Sequence, residues 1–313
     1  MNEEASLISV DLITVNWNSA RQTLEAVRPY LLFNDGQIKI NVIVVDNAST
    51  DNSLEILKPH LPHLIVAKKN LGFAQACNLA FVRSTADFIL LVNPDTVSNI
   101  QVLEQLIQFM YSHPAVAITG PQQRTNNGKV LYSCGRIPTF KSFIYEMSGL
   151  SSLLPNIFKP GLIMRDWDHL TSRYVDHVMG SYVLIRRAVI KDDYLFDKDF
   201  FLYLEDIDLS KRIADMGYTI YFNAEVNIFH EGASTGNRSL YPRLYYFLST
   251  RRKYWKKYMN KLEYFILILM SILVEPLLRL IQFMFGKRKL TFPEFCKVHY
   301  NYFREIVTAE GKY

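Results

Sequence analysis

One acid in the segment Phe200–Arg212 (FFLYLEDIDLSKR) has the clearest signature of a catalytic residue. Read as a helix from Glu205, the chain places Asp206 on a face that is otherwise apolar. That face consists of Asp206, Leu209, Ile213 and Met216. An acid at this position is either a buried helix cap or a general base that removes a proton from a substrate.

A second face of the same helix carries charges that can pair with one another. It consists of Glu205, Asp208, Arg212 and Asp215. Spacings of three and four residues bring such side chains together on a helix. We predict an ion-pair face that supports Asp206, with a solvated surface as the alternative because exposed pairs are common and weak.

A metal site is suggested by Asn93, Asp95 and His230. Asn93 and Asp95 stand two residues apart after an apolar run, so their oxygens can face one hard divalent cation. A second acid at position 93 would be a stronger signal, so Asp95 is the better candidate ligand. His230 can supply a nitrogen ligand, although a lone histidine is more often a satisfied polar residue.

These side chains need elements to position them, and strand-like and helix-like runs alternate over the first hundred residues. The predicted strands are Leu7–Trp17, Ile38–Asp46, Leu64–Ala67 and Asp87–Val92, and the longer predicted helices lie near Ala20–Phe33, Phe73–Arg83 and Ile100–Tyr111. Near-continuous apolar strands separated by helices predict a parallel sheet covered on both faces.

Polar segments follow each of the four predicted strands. They are Asn16–Asn18, Asp46–Asp51, Lys69–Phe73 and Asn93–Asp95. Any one of them alone can be explained as a turn or a helix cap. Ligands of such sheets bind beyond the carboxyl ends of the strands, so four polar segments at one edge favour a binding cleft.

Seven segments, in this order, resemble glycosyltransferase family 2, and most of all its bacterial rhamnosyltransferase-like branch with the GT-A fold. They are VNWN, VVDNASTD, KNLGFAQACN, LLVNPDT, MGSYVLIRR, FFLYLEDIDLSKR and FHEGAST, and they lie within about residues 8–236. The resemblance implies an α/β fold with a Rossmann-like mixed, mainly parallel sheet flanked by helices.

The resemblance also implies roles for individual residues. The nucleotide-sugar site would comprise Asn16, Asp46, Asn47, Asn70, Gly72, Phe73, Asn78 and Asn93. A divalent metal, Mg²⁺ or Mn²⁺, would bind at Asp95 and His230, where Asn93 replaces the first acid of the family's Asp-x-Asp. Asp206 maps onto the catalytic base, with Glu205, Asp208 and Arg212 as supporting residues.

The implied reaction is an inverting transfer of a sugar, with L-rhamnose expected, from a dTDP- or UDP-linked donor. The implied acceptor is a hydroxyl of a glycan or lipid-linked glycan in cell-surface polysaccharide synthesis. Two alternatives stay open. Asn93 also fits a non-catalytic subunit that binds nucleotide sugars in a membrane assembly. A nucleotidyltransferase would need a Gly-rich phosphate loop where this chain has Asn16–Ser19.

Composition excludes several classes of protein. Of 313 residues, 49% are hydrophobic, which excludes a disordered chain. Three cysteines without a C-x-x-C pair argue against a disulfide scaffold and favour a reducing compartment. The net charge of +5 is uneven. Residues 238–313 hold 15 Lys/Arg and 5 Asp/Glu (+10), whereas residues 1–237 hold 20 and 25 (−5).

The basic tail is predicted to meet an anionic membrane surface. Residues 238–261 carry eight Lys/Arg and no acid, interleaved with aromatic residues, a pattern that nucleic-acid binders also use. The apolar runs Tyr264–Val274 and Leu277–Phe285 argue for lipid instead. The polar stripe within them consists of Ser271, Glu275, Arg279 and Gln282. We predict an amphipathic interfacial helix, with packing on the body or in a homodimer as the alternative.

The predicted organisation is a glycosyltransferase domain over residues 1–237 followed by a helical membrane-associating region over residues 238–313. Residues 140–173, where the regular pattern weakens, are expected to be an acceptor-side excursion of the first domain. The acidic N-terminal sequence MNEEASLISVDL does not resemble a secretion signal. The expected location is therefore the cytoplasmic side of the cell membrane, as a peripheral or monotopic protein.

Overall fold

The structure is a computed structural model that describes residues 7–33, 35–230, 240–284 and 291–310. The chain divides into two compact units, which we call unit 1 and unit 2. Unit 1 comprises Met1–Gly135, Trp167–Lys198 and Glu205–Ser234, and unit 2 comprises Arg136–Asp166, Asp199–Leu204 and Thr235–Tyr313.

Unit 1 is an α/β body. Its strands are β1 (Ile8–Asn16), β2 (Ile38–Asp46), β3 (Leu64–Val66), β4 (Phe88–Val92), β5 (Thr96–Val97), β6 (Val116–Arg124), β7 (Cys134–Gly135), β8 (Arg173–Val175), β9 (His177–Val178), β10 (Tyr182–Arg186) and β11 (Thr219–His230). Its helices are α1 (Ala20–Leu31), α2 (Ser53–Leu57), α3 (Phe73–Phe81), α4 (Ile100–Ser112) and α7 (Glu205–Asp215), and those of unit 2 are α5 (Phe140–Met147), α6 (Leu150–Leu153), α8 (Leu240–Tyr258), α9 (Lys261–Met284) and α10 (Phe292–Glu310).

The main sheet of unit 1 has the strand order β3-β2-β1-β4-β10-β6-β11-β5, and β8 also pairs with β11. β1 to β4 are parallel where they pair, and so are β6 and β11. β10 runs antiparallel to both β4 and β6. β7 and β9 form a separate two-stranded pair. The predicted mixed, mainly parallel sheet is present, and β5, β8 and β10 are its reversed strands.

The core of unit 1 lies between the sheet and the helices that cover it. Leu12 of β1, Val44 of β2 and Leu90 of β4 are fully buried, and Val27 of α1 and Leu103 of α4 belong to the same apolar cluster. Each such side chain contributes about 1.5–3 kcal/mol by leaving water. The unbroken Val, Ile and Leu runs of these strands are explained by burial on both faces.

The strand register brings the polar segments to one edge of the sheet. β1 and β2 end level with each other, with Asn16 opposite Asp46. β4 continues the same alignment, because Ile13 of β1 lies opposite Leu91 and the Asn93–Asp95 loop follows two residues later. Four predicted segments therefore emerge at the carboxyl ends of neighbouring parallel strands.

Unit 2 contains one helix, α9, that is long and apolar enough to be a candidate membrane span. The candidate stretch is Lys261–Ile281, with a mean hydropathy of 2.1, and 22% of it is buried in the structure. Length and composition alone support this assignment. The polar residue Glu275 of this helix is buried inside unit 2, which bears on whether the helix crosses a bilayer or lies along it.

The predicted domain division is corrected in two respects, one of which is that Asp199–Leu204 of the predicted first domain belong to unit 2. The excursion over residues 140–173 was assigned to the first domain, but residues 136–166 belong to unit 2. The physical reason is packing, because the buried ring of Phe143 in α5 makes edge contacts with Tyr254 and Trp255 of α8. The predicted boundary between residues 237 and 238 lies outside the described residues.

Candidate functional site

Asn16 and Asp46 form a fully buried pair at the ends of β1 and β2. Nδ2 of Asn16 donates to Oδ1 of Asp46 at 2.7 Å, and Oδ1 of Asn16 accepts from the Thr23 hydroxyl at 2.9 Å. Ser49 donates to Asp46 twice, from its backbone N–H at 3.1 Å and from its hydroxyl at 2.6 Å. Asn16 therefore positions Asp46 and the loop that follows it, because its own amide faces protein atoms.

Asn47 ties this loop to the segment before α3. Its Nδ2 donates to Oδ1 of Asn70 at 3.1 Å, and its Oδ1 accepts from the backbone N–H of Leu71 at 2.8 Å. Gly72 has a φ of 80°, a left-handed conformation that suits glycine, and its N–H donates to Asn70. Phe73 then begins α3. These contacts hold the predicted donor loops together as one surface.

The side-chain amide of Asn78 binds backbone groups of unit 1. Its Nδ2 donates to the carbonyl of Phe196 at 2.6 Å, and its Oδ1 accepts from the backbone N–H groups of Leu195 and Phe196. Asn78 therefore holds residues 195 and 196, and its part in the donor site stays a prediction.

Asp95 and His230 lie next to each other, as expected for shared ligands. β5 pairs with the end of β11 so that Thr96 is opposite His230. This pairing sets Nε2 of His230 at 3.2 Å from Oδ1 of Asp95, with 16% and 18% of the two side chains exposed. Among the described residues no cluster of three or more His, Cys, Asp or Glu side chains forms a complete metal cage.

The chemistry of the Asp95–His230 pair nevertheless fits a cation between its members. Nδ1 of His230 lies 3.0 Å from Oε1 of Gln123, whose amide nitrogen donates to the Ser181 hydroxyl at 2.5 Å. Since Oε1 can only accept, the proton of neutral His230 is on Nδ1. Nε2 then presents a lone pair to a carboxylate oxygen, a contact that a bridging cation or proton makes favourable.

Asp206 lies in the first turn of α7 and keeps 23% of its side chain exposed. Its Oδ2 accepts from the backbone N–H of Gly180 at 3.2 Å, and its Oδ1 accepts from the N–H of Ile207 at 2.9 Å. Nε2 of the buried His177 lies 3.6 Å from Oδ2. Burial lowers the pKa of His177, while Asp206 and Asp176 oppose that effect. The contacts orient the Asp206 carboxylate and leave part of it accessible.

Gly180 and Ser181 connect Asp206 with Asn93 and His230 of the candidate metal site. The N–H of Gly180 donates to Asp206, and the next carbonyl, that of Ser181, accepts from the N–H of Asn93 at 2.8 Å. The Ser181 hydroxyl accepts from Gln123, which in turn orients His230. The predicted base and the predicted metal loop are therefore neighbours on one hydrogen-bonded network of unit 1.

The predicted faces of α7 need correction. Glu205 and Asp208 are buried, whereas Met216, expected on the inward face, is 44% exposed. Asp208 pairs with Arg212 at 3.0 Å, and Arg212 also bonds the carbonyl of Leu195, which explains how Asp208 can be buried. The ion pair is present, but the inward face is wider than the apolar spacing predicts and includes two acids.

Sequence reasoning assigned no role to Gly180, Ser181, Gln123 or His177. The Gly-Ser step that interrupts the apolar run of MGSYVLIRR is the one local signal of a special connection. Gln123 lies inside a buried strand and has no such signal. The remainder of the FHEGAST segment after His230 lies outside the described residues.

Comparisons with known proteins agree with the predicted family and fold class. A model of the family described as Glycosyl transferase family 2 matches residues 12–192, more than half of the chain. An N-acetylglucosaminyl-diphospho-decaprenol L-rhamnosyltransferase of Mycobacterium tuberculosis is 24% identical over 240 residues. That match covers 69% of this chain and 76% of the relative.

Two solved structures share the fold. The mannosyltransferase PcManGT from Pyrobaculum calidifontis, in complex with GDP-Man and Mn²⁺, has a TM-score of 0.52 at 15% identity and covers 92% of this chain and 73% of its own. S. aureus TarS in complex with UDP-GlcNAc has a TM-score of 0.50 at 16% identity, with coverage of 96% and 73%. Both likenesses confirm the predicted fold class and nothing finer.

Proposed function

The chain belongs to glycosyltransferase family 2, and from that premise we propose that it transfers a sugar, L-rhamnose first among the candidates, to an acceptor hydroxyl with inversion. It is a nucleotide-sugar-dependent glycosyltransferase. One observation carries the finer proposal: consecutive residues, Gly180 and Ser181, bond Asp206 and Asn93. The candidate general base and the loop after β4 are therefore both hydrogen-bonded to the Gly180–Ser181 segment.

The donor is proposed to bind at the edge formed by the loops after β1, β2 and β3. Asp46 is the candidate partner of the donor's nucleobase, and Asn16 and Ser49 hold the Asp46 carboxylate in place. Asn47 and Asn70 bind each other, and Gly72 lets the backbone approach a diphosphate closely. The likeness to nucleotide-sugar-bound structures supports this placement at the level of fold.

Asp95 and His230 are proposed to hold a divalent ion together with oxygens of the donor diphosphate. One carboxylate oxygen and one imidazole nitrogen leave most coordination positions to substrate and water, as Mg²⁺ or Mn²⁺ sites on phosphates commonly do. When bound, the ion neutralises charge on the departing nucleoside diphosphate. Gln123 fixes the His230 tautomer that this arrangement requires.

Asp206 is proposed to act as the general base. The acceptor hydroxyl transfers its proton to the Asp206 carboxylate while its oxygen attacks the anomeric carbon. The bond from that carbon to the diphosphate oxygen breaks on the opposite side, so the configuration inverts. The hydrogen bonds from Gly180 and Ile207 aim the carboxylate, and such a base typically gains about 10²–10⁴-fold in rate.

The acceptor is proposed to be a lipid-linked glycan. Support comes from the Mycobacterium tuberculosis relative, whose name specifies a decaprenol-linked N-acetylglucosaminyl diphosphate as acceptor and L-rhamnose as the sugar moved. At 24% identity the likeness supports the substrate class more strongly than the individual substrate. A dTDP-linked donor is accordingly the first to test and a UDP-linked donor the second.

Unit 2 is proposed to bind the cytoplasmic surface of the cell membrane through the apolar face of α9. This face consists of Leu262, Phe265, Leu269, Leu273, Leu277 and Ile281, which are between 41% and 68% exposed. Successive members are three or four residues apart, so they form one continuous stripe. An exposed apolar stripe of this size favours association with another apolar surface. Lys256, Lys257 and Lys261 are exposed near its start, where they can bind anionic lipid headgroups.

The opposite face of α9 carries charges, and these face inward. Glu275 is 6% exposed and pairs with Arg251 of α8 and with Arg279. Burial disfavours the Glu275 charge, yet Arg251 and Arg279 hold its pKa at about 2. Glu275 and Arg279 of the predicted polar stripe therefore form ion pairs inside unit 2. The side chain of Gln282, the last member of the stripe, lies outside the described part. We propose that α9 lies along the membrane surface rather than across it.

A non-catalytic nucleotide-sugar-binding subunit is the second candidate function, and Asn93 in place of an acid is the observation that favours it. The deciding experiment is a thermal-shift panel of dTDP- and UDP-sugars with and without Mn²⁺, followed by product analysis with a lipid-linked N-acetylglucosamine acceptor. An enzyme yields a β- or α-linked product of inverted configuration. Donor-dependent stabilisation without turnover or donor hydrolysis would support the subunit instead.

A further inference from the structure

Two of the three acids in the first turn of α7, Glu205 and Asp206, are adjacent in sequence, and their surroundings differ. Asp206 accepts hydrogen bonds from two backbone N–H groups, those of Gly180 and Ile207. Glu205 is 6% exposed, and its Oε2 atom has no hydrogen-bond partner in the structure. Two backbone donors therefore stabilise negative charge on Asp206, whereas the donor to Glu205 is its own backbone N–H, and Oε2 of Glu205 receives none among the described residues.

The titratable groups that face Glu205 add to this difference. They are Asp206 on its own helix and the buried thiol of Cys77 on α3. Both groups can carry only negative charge. Within the described residues no Lys, Arg or His forms an ion pair with Glu205, and Arg212 of the same helix is bound to Asp208 and Asp192.

We propose that Glu205 is a positioning residue that unit 1 keeps as a neutral carboxylic acid, so that it does not compete with the adjacent Asp206 for a proton. This inference rests on the proposed role of Asp206 as the base. Adjacent carboxyls that both titrate near the same pH would share protons, and the base would then be partly blocked. Environments that differ as these do separate an acid from a base.

The direction of the pKa shift agrees with the geometry. Burial first, and the Asp206 charge second, raise the pKa of Glu205 well above its ordinary value of 4.5. An acid whose pKa is raised on folding stabilises the fold below its unfolded pKa, and this contribution is lost as the pH rises towards the folded pKa. Wild-type protein should therefore lose stability because of Glu205 as the pH rises above about 4.5 towards the folded pKa.

The test compares Glu205→Gln with wild type, because glutamine has the shape of the neutral acid. The variant should keep kcat within about threefold and the same kcat/KM pH profile, since the general-base effect of about 10²–10⁴-fold stays with Asp206. Its Tm should exceed that of wild type by a margin that widens by about 3–5 °C per pH unit above pH 4.5 until the folded pKa is reached.

Asp208→Asn is the matched control, because it also converts a buried acid of α7 to its amide. It breaks the pair with Arg212, so it should lower Tm at neutral pH. Glu205→Met, uncharged and of similar length, provides a second variant and should show the same widening gap in Tm.

Two results would overturn the inference. One is a Tm gap between wild type and both Glu205 variants that does not change with pH. The other is a loss of more than tenfold in kcat for Glu205→Gln at an unchanged Tm, which would make an ionised Glu205 part of the chemistry. The Tm measurements need no turnover, so they stand even if Asp206 proves not to be the base.

Discussion

Asp206 and Asn93 are bound by consecutive residues of one connection. The N–H of Gly180 donates to the Asp206 carboxylate at 3.2 Å, and the Ser181 carbonyl accepts from the Asn93 N–H at 2.8 Å. These two positions are more than a hundred residues apart in the chain. Their shared anchor means that the candidate base and the loop that carries Asp95 keep a fixed separation, which an in-line displacement requires.

Replacing Asp206 with Asn should abolish turnover without unfolding the protein. Asparagine keeps the acceptor oxygen for one backbone N–H but cannot take a proton from the acceptor. We expect kcat to fall by about 10²–10⁴-fold while the KM for the donor stays within a few-fold. Steady-state kinetics and a thermal melt measure both quantities.

The matched control for this prediction is Asp215→Asn in the last turn of the same helix. Asp215 is exposed and pairs only with Lys211 in an i,i+4 bridge, so its removal should leave kcat unchanged. Near-normal turnover of a folded Asp206→Asn variant would remove Asp206 from the role of base.

Gln123→Leu should weaken metal binding although Gln123 touches no proposed ligand atom of the ion. Its loss frees the His230 ring and leaves Nδ1 without the acceptor that sets the tautomer. Comparable losses of ligand orientation cost about 10–100-fold in metal affinity. Titration of Mn²⁺ by electron paramagnetic resonance in the presence of the donor measures the effect directly. An affinity equal to that of wild type would exclude Gln123 from a metal-orienting role.

Asn16→Asp should make the protein sensitive to pH. The new carboxylate would replace the Nδ2 donor that now faces Oδ1 of Asp46 in a fully buried site. Two buried carboxylates at this distance cannot both ionise cheaply, and we expect a loss of about 3 kcal/mol at neutral pH. The Tm should recover as the pH is lowered and the pair shares a proton. At neutral pH, where stability is lost, donor binding should fall as well. Asn16→Ala, which adds no charge, is the control and should show no such recovery.

Substituting the outward residues of α9 should reduce membrane binding and spare the fold. Leu269, Leu273 and Leu277 are exposed, and glutamine keeps a high helix propensity at each position. Each change removes about 1.5–3 kcal/mol of apolar burial in lipid, which corresponds to about tenfold or more in partitioning. Co-sedimentation with vesicles containing phosphatidylglycerol provides the measurement.

Leu32, which is 93% exposed on unit 1, offers the control substitution Leu32→Gln. Vesicle binding should be unaffected by this change. If the α9 variants bound vesicles as well as wild type but changed from dimer to monomer in solution, the stripe would be an interface between two copies of the chain and the lipid assignment would be wrong.

The sheet of unit 1 could be predicted from sequence because burial on both faces produces unbroken apolar strands. The placement of Asn16, Asp46 and Asp95 at one edge follows from that prediction, since parallel strands end together. The neighbouring positions of Asp95 and His230 required more than the local pattern, because β11 must pair with β5, and no pattern in the sequence predicts that pairing.

Other details escaped prediction because tertiary contacts decide them. The i,i+4 spacing of Asp208 and Arg212 predicts their ion pair, which is present, but it does not predict that Asp208 is buried. Asn78 has the residue type of a ligand contact, and nothing in the sequence around it predicts that its amide binds the backbone of Leu195 and Phe196.

The inward-facing charges of unit 2 have a practical consequence for anyone who wants a detergent-free preparation. Truncating the chain before α9 would remove Glu275, the ion-pair partner of the buried Arg251, and leave this guanidinium without its carboxylate. A shortened protein is therefore expected to aggregate. Substituting the outward leucines of α9 with glutamine, while every helix is kept, is the better way to obtain protein for crystallisation or solution spectroscopy.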